Sequence, residues 1–244
     1  MILSKKPLIE AYHGDCMEFM KDKPDNYYQL SIVDPPYGIG ANKMQMGSAP
    51  NRKGEKQYPG TSTAVKVRKN RLNQGSGKLK NRILNTSDCS WDTEPPPPEY
   101  FIELMRVSKN QIIWGGNYFD LPPTRGIVCW DKQQPWDNFS QFELAWTSFD
   151  KPAQMFRYSN AGGANKEHKI HPTQKSVKLY RWLLNKYANA GDKILDTHGG
   201  SFSSAIACHN DGYDMDICEL DDHYYSEAIK RFNLNTVQEA IDFG

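Results

Sequence analysis

The stretch Ser31-Ile32-Val33-Asp34-Pro35-Pro36-Tyr37-Gly38 indicates the fold class. The apolar run from Leu30 to Val33 predicts a short buried strand, and the two prolines end it, because proline lacks the N–H group that a strand ladder needs. Asp34 and Tyr37 therefore follow the carboxyl end of a strand. In open α/β sheets this is the edge where ligands bind, so we expect a carboxylate and an aromatic ring to share one crevice.

The four residues Asp34-Pro35-Pro36-Tyr37 suit a planar base that carries an exocyclic amino group. The Asp34 carboxylate and the Pro35 carbonyl can each accept a hydrogen from an NH₂ group, and the Tyr37 ring can stack on the base. An aryl amine is a poor nucleophile because its lone pair is delocalised into the ring. Two acceptors favour a pyramidal nitrogen whose lone pair is free to attack. A polar turn that only ends the strand is the alternative for so short a motif.

Length and composition predict one α/β domain that spans residues 1–244. A chain of 244 residues with 38% hydrophobic content can bury one substantial core. The sequence contains neither an apolar run of membrane-spanning length nor the apolar segment of a signal peptide, which predicts a cytoplasmic protein with no membrane partner. The five cysteines never occur as C-x-x-C, and the histidines are scattered, so we expect no metal site.

Residues 41–85 form a strongly basic insertion within a chain whose net charge is only +1. The segment holds eleven basic residues and one acid, Glu55, and it is rich in Gly, Asn and Ser. This composition predicts a flexible loop that contacts nucleic-acid phosphates. A solvated loop without a partner is the alternative. The candidate DNA contacts are Lys43, Arg52, Lys53, Lys66, Arg68, Lys69, Arg71, Lys78, Lys80 and Arg82.

The C-terminal part contains a second ligand signal. Lys193 to Asp196 reads as a strand, Thr197 to Ser201 as a turn of mostly small residues, and the following segment as a helix, which together predict a nucleotide cradle. Glu219 ends the next predicted strand twenty residues after Gly199, where an acid can bind ribose hydroxyls. The G-x-G-x-x-G phosphate fingerprint is missing from the sequence, which favours an adenosine ligand without a pyrophosphate.

These motifs together resemble the amino-group DNA methyltransferases that use S-adenosylmethionine, with Asp34-Pro35-Pro36-Tyr37 similar to their catalytic motif. The resemblance includes four further segments: Gly14-Asp15-Cys16, His171-Pro172-Thr173-Gln174-Lys175, Ile194-Leu195-Asp196 with Gly199-Gly200-Ser201, and Glu219-Leu220-Asp221. The catalytic motif precedes the cofactor turn, as in the permuted β group. An aspartate at the first motif position is typical of members that methylate adenine N6, whereas cytosine-N4 members more often have serine there.

The resemblance implies a Rossmann-like methyltransferase domain with a mostly parallel seven-stranded sheet and helices on both faces. Asp34, Pro35, Pro36 and Tyr37 would hold a base flipped out of duplex DNA. On the cofactor side, Asp15 would meet the adenine of S-adenosylmethionine and Glu219 its ribose, while Asp196, Gly200 and Ser201 would line its methionine portion. Thr173 and Lys175 would face its carboxylate, and Cys16 and Gly199 complete the implied set.

Several readings stay open from the sequence. The substrate base can be cytosine, attacked at N4, and the amine can belong to RNA or to a protein. A DNA-binding module without catalysis can also keep this fold. Asp15 can equally be a helix cap, since it precedes an amphipathic segment. A homodimer and a prokaryotic or phage origin are further expectations.

One prediction follows from the charge of the basic insertion alone. Deleting residues 47–77, or changing Arg68, Lys69 and Arg71 to Glu, should weaken DNA binding and flatten the plot of log K against log salt, because each phosphate contact adds about −0.9 to that slope. Fluorescence anisotropy across a salt series measures both effects, and calorimetry should find cofactor affinity unchanged. A deletion that leaves DNA affinity and slope as they were would show that other residues hold DNA.

Overall fold

The computed structural model describes residues 6–40, 45–46, 82–83, 91–133, 140–159 and 167–242, with side chains described up to residue 237 but not at 45–46 and 82–83. The basic insertion and its ten candidate DNA contacts therefore lie outside the described side chains. Contact between this insertion and DNA stays a prediction.

Strands alternate with α-helices at both ends of the described chain, whereas the three strands within 127–157 follow one another without an α-helix in the described residues between them. The strands are Ile9–His13 (β1), Leu30–Val33 (β2), Gln45–Met46 (β3), Arg82–Ile83 (β4), Gln111–Trp114 (β5), Ile127–Asp131 (β6), Phe142–Thr147 (β7), Gln154–Arg157 (β8), Lys193–Asp196 (β9) and Asp214–Glu219 (β10). The α-helices are Cys16–Lys21 (α1), Pro98–Val107 (α2), Val177–Tyr187 (α3), Ser203–Asp211 (α4) and Asp222–Asp242 (α5).

One sheet organises the described chain, with strand order β1-β10-β9-β2-β5-β7-β6-β8. The pairs from β1 to β5 in this order are parallel, and β7 alone runs antiparallel to its neighbours β5 and β6. The predicted mostly parallel sheet is confirmed, but it has eight strands where seven were expected. The additional strand is β8, which pairs parallel to β6 at the edge of the sheet.

Helices cover both faces of the sheet, as predicted, and bury two apolar clusters. Strand side chains alternate between faces, so neighbouring residues of β2 contribute to different clusters. Ile32 packs in the cluster that includes Leu179 and Leu183 of α3, whereas Val33 packs in the cluster that includes Leu104 of α2. Because both faces are covered, β2, β5 and most of β9 and β10 are continuous buried runs.

The sheet order brings together segments that are far apart in the sequence. Strand β2 pairs with β9 through Leu30 opposite Ile194 and Ser31 opposite Leu195. The turn after β2 therefore lies beside the turn after β9, although more than a hundred and fifty residues separate them. Helices long and apolar enough to cross a membrane do not occur within the described ranges.

A buried carboxylate within β10 is held by groups from two other segments. Asp216 is 1% exposed, and its Oδ2 accepts a hydrogen bond of 2.6 Å from the hydroxyl of Tyr28. The ammonium of Lys193 lies 2.7 Å from Oδ1 of the same carboxylate. These contacts tie the segment before β2 and the start of β9 to β10, because a buried charge is costly without partners.

We predict that Tyr28→Phe lowers the free energy of unfolding by about 1.5 to 3 kcal/mol, since it removes a hydrogen bond to a buried charged group. Urea denaturation followed by circular dichroism measures the change. The neighbouring Tyr27 is 39% exposed, and Tyr27→Phe is the matched control with an expected change within about 0.5 kcal/mol. Equal effects of the two substitutions would contradict the role given to the Asp216 contact.

Candidate active site

Three carboxylates meet at the carboxyl edge of the sheet. Asp34 follows β2, Asp196 ends β9 and Glu219 ends β10, and these strands are neighbours in the order β10-β9-β2. Carboxyl ends of neighbouring parallel strands form the ligand crevice of an open α/β sheet. The predicted catalytic and cofactor segments are therefore adjacent in the folded chain.

The Asp34 carboxylate is held by two side chains. Its Oδ1 accepts a hydrogen bond of 2.7 Å from the hydroxyl of Tyr37, and its Oδ2 lies 2.5 Å from the ammonium of Lys175. Burial raises the pKa of Asp34, against the opposing charge of Lys175. Pro35 is buried and Pro36 is half-buried in the same turn. The predicted catalytic motif thus forms one compact turn in which both carboxylate oxygens have partners.

Glycines allow the close packing around this turn. Gly38 has φ +72°, and its N–H donates to Asp92 Oδ1 at 2.8 Å. Gly115, at the end of β5, has φ +70°, and a Cβ atom there would lie 2.2 Å from the ring of Tyr37. Both positions need a left-handed backbone without a side chain. Gly115 therefore lets the chain pass directly against Tyr37. Gly116 lets it pass against Trp146, because a Cβ atom on Gly116 would lie 2.4 Å from the Trp146 Cβ.

The ring of Tyr37 already has an aromatic neighbour. Tyr118 stacks on it with 4.9 Å between ring centroids and an interplanar angle of 14°, and 47% of Tyr118 is exposed. Phe119 approaches the Tyr37 ring edge-on at 6.1 Å. A base that stacks on the face covered by Tyr118 requires the two tyrosine rings to separate.

Lys175 lies between two carboxylates. Besides Asp34, its ammonium contacts Glu143 Oε2 of β7 at 3.1 Å, and Glu143 Oε1 forms an ion pair with Lys132. Burial would lower the pKa of Lys175, but Asp34 and Glu143 together raise it. Burial alone would raise the pKa of Glu143, but Lys175 and Lys132 hold it at about 2. The four groups form a chain of alternating charges.

Glu219 organises the cofactor turn. Its Oε2 accepts from the N–H of Gly200 at 2.7 Å, and its Oε1 accepts from the N–H of Asp221 at 2.8 Å. Gly199 donates its N–H to the Cys218 carbonyl at 2.7 Å. Burial raises the pKa of Glu219. A carboxylate has about four lone-pair directions, so two remain available to ligand hydroxyls.

Asp196 and Ser201 lie on the buried side of this turn. Asp196 accepts from the His198 N–H at 3.0 Å and from the Ser204 hydroxyl at 2.6 Å. Ser201 is 5% exposed, and its carbonyl accepts a 2.6 Å hydrogen bond from Arg231 of α5. Burial raises the pKa of Asp196 to about 7, with the charges of Asp34 and Glu219 acting in the same direction.

The remaining predicted cofactor residues have different positions. Asp15 caps α1, with Oδ1 accepting from the Met17 N–H at 2.8 Å, and the preceding Gly14 donates its N–H to the Glu219 carbonyl. Cys16 begins α1, and burial raises the pKa of its thiol to about 12. Thr173 is exposed and its hydroxyl lies 3.1 Å from His171 Nδ1.

The structure places Thr173 and Lys175 at different parts of the site. A Cβ atom on Gly200 would lie 3.7 Å from the His171 ring, so the segment with Thr173 borders the cofactor turn. Lys175, which the family resemblance assigned to the cofactor carboxylate, contacts Asp34 and Glu143. Its direct contacts are therefore with the catalytic turn and with β7.

The sequence did not reveal Lys132, Glu143 or Tyr118 as site residues. Glu143 lies within the predicted strand Phe142–Trp146, where a carboxylate between apolar residues was a signal of a buried ionic contact. Tyr118 follows the glycine pair but belongs to none of the quoted motifs. No cluster of His, Cys, Asp and Glu suited to a metal ion occurs among the described residues.

Comparison with known proteins agrees with this arrangement. The mostly parallel sheet with helices on both faces is a Rossmann-like fold. A family model described as DNA methylase matches residues 52–230, well over half of the chain, although its match begins after Tyr37. The chain therefore belongs to the DNA methylase family, and the resemblance to S-adenosylmethionine-dependent amino-group methyltransferases is confirmed.

Several relatives and solved structures also match the chain. The chain is 22% identical to the type II methyltransferase M2.MboI of Moraxella bovis over 80% of its length and 77% of that protein. It is 22% identical to the type II methyltransferase M.BglII of Bacillus subtilis over 84% of its length, spanning 64% of that protein. The crystal structure of an M1.HpyAVI-SAM complex has a TM-score of 0.52 at 19% identity, covering 92% of this chain and all of that one. The structure titled PvuII DNA methyltransferase (cytosine-N4-specific) has a TM-score of 0.53 at 14% identity, covering 93% of this chain and 89% of that one.

We predict that Asp196→Asn changes the pH dependence of stability. A buried carboxyl group whose pKa is about 7 when folded and 3.8 when unfolded binds its proton more tightly in the folded chain, so its contribution to stability is present below pH 4 and is lost between pH 4 and 7. An asparagine side chain does not titrate in this pH range. The unfolding free energy of the variant relative to wild type should therefore rise by up to about 4 kcal/mol between pH 4 and pH 8.

Urea denaturation at several pH values tests this expectation. The control Asp150→Asn changes a side chain that is 87% exposed and should leave the pH profile as it is. A constant difference between Asp196→Asn and wild type across the range would contradict the prediction.

Proposed function

We propose that this protein is a DNA adenine-N6 methyltransferase that transfers a methyl group from S-adenosylmethionine to an adenine flipped out of duplex DNA. The proposal rests on one juxtaposition: the turn Asp34-Pro35-Pro36-Tyr37 at the end of β2 lies beside the cofactor turn of β9 and the acid that ends β10. Family membership supports DNA as the substrate. Aspartate at the first motif position supports adenine over cytosine.

The residues of the cofactor turn fit S-adenosylmethionine. The cofactor carries a sulfonium and an ammonium group, and the crevice presents the buried Asp196 and the half-buried Glu219 beside Asp34. Gly199 cannot carry a side chain, because a Cβ atom would lie 2.6 Å from the Phe202 ring, so the turn stays close to its neighbours. Glu219 would hold the ribose, and Asp196 with Gly200 and Ser201 would line the methionine portion. Asp15, Cys16 and Thr173 would lie at the rim of this site.

The chain supplies orientation and charge for the transfer. When bound at the cofactor turn, S-adenosylmethionine would supply a methyl group activated by its sulfonium sulfur, and the electron pair of the C–S bond would stay on that sulfur when the amine nitrogen forms the N–C bond. Asp34 accepts an amine hydrogen and then the proton that the methylated nitrogen releases, and burial suits it to that role by raising its pKa. Tyr37 stacks on the base and fixes its plane. Bringing the amine close to the methyl group accounts for much of the rate enhancement.

We further propose that residues 1–244 act as one domain, in which the basic insertion 41–85 contacts DNA phosphates. Its ten candidate contacts are those named from the sequence. A cytoplasmic location, a homodimer and a prokaryotic or phage origin stay predictions.

Labelling identifies the substrate. The protein is incubated with S-adenosylmethionine tritiated in its methyl group and with unmethylated genomic DNA, RNA or a protein extract, and the DNA is digested to nucleosides. We expect label in N6-methyladenine. Label in N4-methylcytosine would replace the adenine assignment, and label in RNA or protein would replace the substrate class. The absence of transfer despite cofactor binding would leave a binding module.

We predict that Asp34→Ala abolishes transfer while cofactor affinity, measured by calorimetry, changes by less than about 1 kcal/mol. The substitution removes the acceptor for the target amine, whereas the cofactor turn belongs to β9 and β10. A loss of about a thousandfold or more is consistent with removal of a group that acts in the transition state. Asp150→Ala, at an exposed carboxylate, is the control. Transfer by Asp34→Ala at the wild-type rate would contradict the mechanism.

A further inference from the structure

Each oxygen of the Asp34 carboxylate already accepts from one donor in the described structure. Tyr37 donates to Oδ1 at 2.7 Å, and Lys175 holds Oδ2 at 2.5 Å. Under the proposed function, on which this inference rests, Asp34 must accept a hydrogen from the target amine. A charged donor at 2.5 Å makes a stronger hydrogen bond than a neutral aryl amine does. An amine hydrogen on Oδ2 therefore competes with the Lys175 ammonium, and it bonds more strongly when Lys175 loosens its contact with Asp34.

Water cannot replace Asp34 as the partner of the Lys175 ammonium. The side chain of Lys175 is 2% exposed, and an isolated ammonium group in such a place is strongly unfavourable. Separating the Lys175 ammonium from Asp34 without another partner would therefore cost more free energy than a hydrogen bond from the amine contributes. The residue needs a second carboxylate within reach, already aligned.

Glu143 is that second carboxylate. Its Oε2 lies 3.1 Å from the Lys175 ammonium, a longer contact than the one to Asp34. It belongs to β7, the antiparallel strand that pairs with β5, and not to the strand that delivers Asp34. A movement of the ammonium of well under 1 Å can therefore shorten one contact while it lengthens the other.

We propose that Glu143 is a positioning residue that draws the Lys175 ammonium away from Asp34 when the target amine binds. The shift frees Oδ2 of Asp34 to accept the amine hydrogen, while Lys175 keeps a full ion pair with Glu143. The buried charges stay balanced throughout, so the shift exchanges one ion pair for another inside the site. Glu143 thus acts on Asp34 through Lys175.

Lys132 modulates how strongly Glu143 attracts the Lys175 ammonium, because it pairs with the same carboxylate. Its ammonium pairs with Glu143 Oε1, and its side chain is 11% exposed. The four groups Lys132, Glu143, Lys175 and Asp34 carry two positive and two negative charges when ionised. Removal of Lys132 leaves Glu143 with Lys175 as its main partner, whereas removal of the Glu143 charge leaves Lys175 with Asp34 alone.

Three variants separate positioning from simple charge balance. Glu143→Gln leaves the buried group with an excess positive charge, Lys132→Met leaves an excess negative charge, and the double variant is balanced. Positioning by Glu143 predicts that Glu143→Gln and the double variant both lose kcat by about tenfold or more, with Lys132→Met losing much less. The KM for DNA should stay within about threefold, because phosphate contacts dominate DNA affinity. A role in charge balance alone predicts that both single variants are slow and that the double variant recovers.

Steady-state methylation of genomic DNA with tritiated cofactor measures kcat and KM, and calorimetry and thermal denaturation report cofactor affinity and folding. Arg125→Met, at an exposed ion pair with Asp150, is the matched control for loss of a cation. Recovery of the double variant, or a wild-type kcat for Glu143→Gln, would overturn the proposal. If Glu143→Gln does not fold, the double variant is compared with Lys132→Met, because the two differ only in the Glu143 carboxylate. A lower kcat for the double variant than for Lys132→Met supports positioning, whereas a higher kcat overturns it. A wild-type protein that labels no DNA would instead overturn the proposed function.

Discussion

The ammonium of Lys175, buried between Asp34 and Glu143, is the interaction on which the active site depends. It joins the segment before α3 to the turn after β2 and to β7. Three carboxylates approach one another at the carboxyl edge of the sheet, and burial makes each of them costly to ionise. Lys175 compensates the one nearest the proposed chemistry, while backbone N–H groups hold Glu219 and a serine and a backbone N–H hold Asp196. Of these three carboxylates, Asp34 is the one held by an ammonium group.

The sheet explains why the order of the motifs along the chain matters little. Strand β2 lies between β5 and β9, so the catalytic turn and the cofactor turn are neighbours whichever comes first in the sequence. Parallel strands that point the same way present their following turns at one edge. The helices on both faces fix this edge by burying Ile32 and Val33 on opposite sides. Permutation therefore leaves the geometry of the site intact.

The aromatic side of the site has its own constraint. Gly115 passes against the Tyr37 ring, and Tyr118 covers one face of that ring. The arrangement keeps Tyr37 in a fixed plane, with its hydroxyl on Asp34. Under the proposed function, a flipped-out base would meet a Tyr37 ring that is already oriented, and it would compete with Tyr118 for the ring face that Tyr118 covers. Pre-orientation of this kind reduces the conformational entropy lost on binding.

The sequence by itself determined the strands that end at the candidate site and the two turns that follow them, because apolar runs, prolines and glycines act locally. It identified Asp34 and Tyr37 as residues that follow a strand, and Asp196 and Glu219 as residues that end strands. Only the tertiary structure decided that Lys175 contacts Asp34, that Glu143 and Lys132 extend this contact, and that Tyr118 covers Tyr37. Those contacts join residues of different strands and loops, and their distances depend on sheet order and packing, which no local pattern encodes. The eighth strand escaped prediction for the same reason, since an edge strand is defined by its partner β6.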